Sequence, residues 1–458
     1  MSSPNASLIS PQTVRLARLF LKHMDKRVAR PSLKAFFYAY LYVTLPRVFN
    51  HVIISIRKKQ YDQIFPRVFK ILLSALNPSK FPTFAARLVA GINILEPIIY
   101  KLLKDSKIVT KPINNIFLST LLSSFISGYA SFPKFQNHIL SYGRYYSLDL
   151  TLLVTTRALD TALSTTLSKF TPESIAKHGN ALLFIVSCSL IMFSWFYRPG
   201  ALPPAYRKWI TSAANMDQEI IDALKHLRDG TLVYGDETCI NRDVLVPYCI
   251  RHGEDVSNGS LVINQPLTCR TVHAFKTNNC ELHALWRFIR GFCFAIKIYG
   301  PLNGLMLLFP IKNQKMQNRI IYAIKSSIRS SCFLGAFISF YWYAVCLARK
   351  RILPRLFPKV PLTRWDDTFA PTAGAIACGF SSFIESAQRR KELALFVAPR
   401  ALGTIIPTAS SVKNLRYESI AFSVSMAVLV AYSKNDPKSV RGIFGRGLKQ
   451  VFSIDSYK

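Results

Sequence analysis

The sequence predicts an all-α fold, a polytopic helical membrane protein of about 8–10 transmembrane helices in two duplicated halves. Three observations carry that prediction. Residues 113–132, 179–197 and 330–348 hold no charged residue, and each runs 19 or 20 residues. At about 1.5 Å of rise per residue, such a helix crosses a hydrocarbon core about 30 Å thick. Hydrophobic residues make up 50% of the 458 and gather into ten segments. Two distant stretches also nearly repeat: residues 150–163 read LTLLVTTRALDTAL and residues 393–406 read LALFVAPRALGTII, identical at seven of fourteen positions.

The chain opens with a basic segment, 1–33. Within it, Arg15, Arg18 and Lys22 recur at helical spacing among apolar residues. That pattern suits a targeting or membrane-surface helix, or a solvated cationic lead into the first span. The first transmembrane repeat, 34–197, holds apolar segments at 34–56, 81–100, 113–132, 145–163 and 179–197. A polar connector containing Cys and His follows at 198–285, too long for an ordinary loop and expected to lie outside the bilayer. The second repeat, 286–433, holds segments at 286–309, 328–348, 369–386, 393–409 and 418–433, and a basic tail, 434–458, ends the chain. Further matches keep their order: Ser123-Ser124-Phe125-Ile126 recurs as Ser381-Ser382-Phe383-Ile384, and Pro46 and Pro301 hold similar places in the first span of each half.

A net charge of +35, from 59 Lys+Arg against 24 Asp+Glu, would ordinarily suggest nucleic acid. Here basic runs such as Arg57-Lys58-Lys59, Arg349-Lys350-Arg351 and Arg389-Arg390-Lys391 flank the apolar segments. The expected partner is therefore a bilayer containing anionic lipids, at about 1 kcal/mol per basic residue near the surface, and no nucleic acid.

Ionisable residues inside spans are costly and default to functional candidates. Arg157 and Arg400 occupy matching positions of the repeated stretch. They suit binding of a small anionic lipid or metabolite through a carboxylate or phosphate. The competing reading is structural pairing, for which Arg157 has Asp160 at i+3 and Arg400 has only Gly403. Pro399, directly before Arg400, would open the helix at that turn or, more commonly, only kink it between packed helices. Lys297, Asp149 and Glu385 are lesser candidates. Gly374 with Gly379, Ala373 with Ala377, and Gly335 with Ser339 read as packing positions.

The connector carries one metal-like pattern, Cys269-x3-His273-x6-Cys280-x2-His283, with Cys249-x2-His252 upstream. Two thiolates and two imidazoles could hold zinc. The same cysteines could be small buried hydrophobes or disulfide partners. No other cofactor is expected. The motifs of serine hydrolases, zinc proteases, P-loop enzymes and membrane acyltransferases are missing, so a non-enzyme is expected.

The stretch Cys269-Arg-Thr-Val-His273…Cys280, then Arg287-Phe-Ile-Arg290-Gly291-Phe and Ile298-Tyr299-Gly300-Pro301-Leu302-Asn303, resembles the transmembrane protein 135 family. Tyr341-Trp342, Arg389-Arg390-Lys391-Glu392-Leu393-Ala394-Leu395 and Arg400-Ala401-Leu402 fit it too. The resemblance covers 230–433 best and 81–200 more weakly. It implies a polytopic protein of the peroxisomal or mitochondrial membrane, linked to lipid metabolism and mitochondrial dynamics. A distant relation to the mitochondrial inner-membrane translocase (Tim) family goes with it, although the glycine-rich signature of those translocases is not recognisable here. The expected function is transport or handling of an anionic lipid or metabolite where the repeats meet. The alternatives are an organelle-membrane scaffold that recruits protein partners through the connector, and a mitochondrial import subunit.

Overall fold

The computed structural model describes residues 24–106, 112–140, 146–167, 173–263, 267–307, 315–406, 412–436, 439–440 and 442–452. Arg15, Arg18 and Lys22 lie outside the described residues. Among those described, every regular element is helical, as the long apolar segments and scarcity of strand-like alternation predict. The helices are α1 Arg30–Arg57, α2 Ile64–Ala75, α3 Phe81–Asp105, α4 Pro112–Leu140, α5 Tyr146–Leu167 and α6 Glu173–Tyr197. The connector adds α7 Pro204–Ala214, α8 Gln218–Asp229 and α9 Val246–His252. Then come α10 Cys280–Leu307, α11 Met316–Cys346, α12 Ala370–Gly379, α13 Ala387–Ile405, α14 Val412–Asn435 and α15 Gly442–Phe452.

Each of the ten apolar segments contributes a helix. Five stretches are long and apolar enough, by length and composition, to cross a membrane: Phe81–Asp105, Asn114–Ile139, His178–Tyr197, Met316–Leu356 and Lys413–Asn435. α1 and α10 accommodate Pro46 and Pro301 without ending. α13 likewise runs through Pro399. The helix does not open beside Arg400; a proline withdraws one backbone donor, and neighbouring helices hold the segment straight enough to continue.

The chain divides into two compact units that do not follow the sequence halves. The first contains residues 1–170 together with 409–458, and the second contains 171–408. In the first unit α1 packs on α3, α3 on α4, α4 on α14, and α14 on α5. In the second, α10 packs on α11, α11 on α12, α12 on α6, and α6 on α13. The fifth helix of each half thus sits among the first four of the other.

In the first unit polar side chains are buried beside an apolar core of Phe84, Ile92, Phe132 and Phe422, while large apolar side chains are also exposed. Ser119, Thr120, Ser123, Ser124 and Ser127 of α4 are buried, as are Glu96 and Gln136, whereas Phe49, Ile98, Leu102 and Ile126 are exposed. The connector is folded. α7 ends on Asn215 and α8 on Gly230, both left-handed, a usual way to stop a helix and turn the chain. Leu232, Leu245, Tyr248 and Leu261 are buried in one core with residues of α6, α11 and α13.

Candidate functional site

In the second unit, a cavity of about 210 Å³ lies between α6, α7, α11 and α13. Phe184, Met192 and Trp195 of α6 line it from one side, and Phe333, Phe337, Tyr341 and Phe396 from the others. Its walls therefore come from both halves of the sequence. Tyr206 and Trp209 of α7 close it, their rings stacked 6.1 Å apart. The Arg400 guanidinium acts electrostatically on Tyr206, whose hydroxyl burial drives well above its usual range. Trp195 also borders a polar cleft of about 700 Å³ that holds Arg207, Lys208 and Lys225 facing Asp217 and Asp222. A 150 Å³ apolar cavity accepts a molecule of about the size of benzene, so the first cavity has room for a short stretch of hydrocarbon, beside a wet, charged one.

The structure places Arg157 and Asp160 on α5 of the first unit and Arg400 on α13 of the second. All three are half-buried. Burial along the two repeated stretches agrees closely: Thr151, Leu152, Val154, Thr156, Ala158 and Thr161 are buried, and so are Ala394, Leu395, Val397, Pro399, Ala401 and Thr404 at matching positions. Ser123 and Ser124, like Ser381 and Ser382, are buried too.

The basic runs serve partly within the protein. Buried Arg349 pairs with buried Asp366, which also accepts the Tyr234 hydroxyl at 2.7 Å. Arg351 pairs with Glu281. Arg389 reaches Ser326 Oγ and Arg390 donates to the Ser382 and Glu385 carbonyls. Several of these residues therefore also bond within the protein, to acceptors on their own or neighbouring helices.

A second concentration of chemistry joins the connector to α10 and α11. Ligand atoms of His273, Cys280 and Cys346 all lie within 4.8 Å of one another, and all three residues are buried. His273 Nδ1 lies 2.8 Å from the Thr277 carbonyl, so that nitrogen carries the proton. Its Nε2 sits 3.1 Å from Cys346 Sγ. Cys269 lies one turn before His273 and is half-buried. Burial pushes Cys269 above and His273 below their usual ranges.

His283, grouped with these residues by spacing, is turned to another task. Its ring stacks on His273 with centroids 4.1 Å apart, and its Nε2 accepts from Arg287 Nε at 3.1 Å. Arg287 itself is buried. It donates to the Ala214 and Asn215 carbonyls that end α7 and lies over the Trp342 ring at 4.3 Å. Cys249 and His252 stand apart from the cluster: His252 packs edge-on against Tyr248.

Glu96 of α3 is a buried ionisable residue that is not among the sequence candidates. It accepts Thr120 Oγ1 at 2.7 Å and Lys434 Nζ at 2.7 Å. Its position inside an apolar segment, just before Pro97, was the available signal. Glu385, ranked low, is buried and accepts Ser330 Oγ at 2.6 Å. Gly335 faces Gly291 and Ser339 donates to the Ala284 carbonyl, as expected of packing positions. Comparison with family models, curated proteins and solved structures returns no match for this chain.

Proposed function

We propose that the chain is an integral membrane protein of a peroxisomal or mitochondrial membrane that binds or moves an anionic lipid or lipid-like metabolite, with no catalytic step of its own. The distribution of polarity supports the bilayer: serines and a glutamate are inside while Ile98, Leu102, Leu182 and Val424 face outward, an arrangement that would leave large apolar patches against water. The organelle rests on the resemblance to the transmembrane protein 135 family. We also take the two units as descendants of one duplicated five-helix element, because their helices pair in the same order and matched positions share burial.

The observation that carries the functional reading is the apolar cavity beside a polar cleft holding Arg207, Lys208 and Lys225 as well as Asp217 and Asp222, with Trp195 common to both. A hydrocarbon tail fits the first, and a carboxylate or phosphate is matched by guanidinium and ammonium groups near the second. Purified protein labelled with a photoactivatable fatty acid should be modified on α6, α7 or α11. Phe337→Trp should fill the cavity and abolish labelling. Arg400→Gln should weaken labelling by the acid more than by the matching alcohol, and Arg400→Lys should retain it. Labelling left intact by Phe337→Trp and Arg400→Gln alike would end the proposal.

A further inference from the structure

We propose that Cys269, His273, Cys280 and Cys346 form a structural zinc site that clasps the polar connector to the end of α11. Three elements with no local reason to meet are brought together: the helical turn Cys269–Val272, the start of α10 and the last residue of α11. Two sulfurs and one imidazole nitrogen converge within 4.8 Å. Around tetrahedral zinc, with Zn–S about 2.3 Å and Zn–N about 2.0–2.1 Å, neighbouring ligand atoms stand roughly 3.5–3.8 Å apart. The cluster is thus a small adjustment from that geometry. Cys269 lies one turn from His273 and is only half-buried; a rotamer change supplies the fourth ligand.

The histidine is prepared for this role. A carbonyl oxygen only accepts, so Thr277 fixes the proton on Nδ1 and leaves the Nε2 lone pair aimed at Cys346. This is the outer-shell arrangement usual for zinc-bound histidines. Binding converts three thiols to thiolates and releases three protons, leaving a Cys3His centre with one net negative charge. Arg349 and Lys350 act electrostatically on Cys269 and His273 and offset that charge. Simple burial of small apolar thiols explains neither the oriented imidazole nor the neighbouring cations. The His283 ring, stacked on His273 with its Nε2 engaged by Arg287, acts as a wall of the site.

The test uses full-length protein purified in detergent with reductant, with zinc quantified by elemental mass spectrometry. About one zinc per chain is expected for a closed four-ligand site. Cys280→Ser and Cys346→Ser should lose it, while His283→Gln and Cys378→Ser should keep it. Should the cysteine variants fail to fold, chelator-stripped wild-type protein refilled with cobalt decides. Thiolate-to-cobalt charge-transfer absorption with tetrahedral ligand-field bands supports the site. A monodisperse wild-type protein that holds no zinc and gives no such bands overturns it. So does loss of zinc in His283→Gln with retention in Cys346→Ser, or a Cys280–Cys346 disulfide in protein purified without reductant.

Discussion

In the first unit the seam between α4 and α14 is polar: Gly128 of α4 lies against Ser423 of α14, a helix that also carries buried Ser419. Polar bonds cross it, from Gln136 to Glu418 at 2.8 Å and from Ser419 to Gln136. At the equivalent seam of the second unit, α12 against α6, Gly379 lies against Ile185 and Cys378 and Cys188 are buried. Ser189 reaches across, to the Ala375 carbonyl at 3.3 Å. Both seams occupy the same place in the pairing order. What they share is small residues that let backbones approach, here Gly128 on Ser423 and Gly379 on Ile185. The order of packing therefore survives a change from polar to apolar contacts. The second unit alone has the connector packed into its core, and with it the cavity and the cysteine cluster.

The comparison fails outright if the fifth helices are not exchanged, so the largest effect to seek is all-or-none. Gly128→Cys with Ser423→Cys, and separately Gly379→Cys with Ile185→Cys, place sulfurs on Cβ positions already close to disulfide separation. Cleavage at a protease site inserted beside Ile240, which is 96% exposed, would cut the chain between its halves. Each oxidised double variant should remain one band on a denaturing gel and fall into two fragments on reduction. Two bands before reduction would remove the exchange and, with it, the common origin of the units.

The buried ion pair of the first unit comes next. Glu96 is held by Thr120 and Lys434 within a few ångströms, with side chains 4% and 14% exposed in the ion pair. Removing one member of a buried pair costs about 3–5 kcal/mol, whereas replacing both by apolar residues is often neutral. Glu96→Leu should lower the thermal unfolding midpoint in detergent strongly, and Glu96→Leu with Lys434→Met should restore part of it, because Arg27, 3.9 Å from Glu96, loses the carboxylate in both variants. A double variant as unstable as the single would mean that Glu96 serves a ligand or an ion rather than the seam.

A smaller difference is expected at the glycines. An added Cβ at Gly335 would come 2.8 Å from the Phe288 carbonyl oxygen, whereas at Gly128 the nearest atom would be Ser423 Cα at 3.2 Å. Overpacking of this kind costs about 1–3 kcal/mol. Gly335→Ala should fall at the upper end, because backbone must move, and Gly128→Ala at the lower. Equal shifts in unfolding midpoint would indicate that the α10–α11 contact is no tighter than the α4–α14 seam.

Periodicity and length made the ten helices legible, because an apolar run of about 20 residues has few other structures open to it. The matched stretches at 150–163 and 393–406 placed α5 and α13 in equivalent roles. Which fifth helix completes which unit could not be read, since α6 and α14 are both apolar on most sides and pairing is decided by seams such as Gly128 on Ser423. At the cysteine cluster, local spacing found Cys269, His273 and Cys280. It missed Cys346, which lies 66 residues beyond Cys280 and inside an apolar segment where a cysteine reads as filler. His283, offered by the same spacing, turns its Nε2 to Arg287, one turn later, a partner that spacing alone does not reveal.

The smallest effect sharpens the contrast between buried and exposed charge. On the connector, Arg251 pairs with Asp217 and Glu219, tying α9 to the start of α8. Its side chain is 51% exposed, so water already solvates the guanidinium and salt screens the pair. Arg251→Ala should leave the unfolding midpoint where it is, with any shift vanishing as salt rises, while Glu96→Leu stays destabilising at every ionic strength. Should Arg251→Ala instead loosen the connector, seen as faster amide exchange at Leu245 and Tyr248, the α8–α9 junction would be held by charge rather than by the apolar core that Tyr248 anchors.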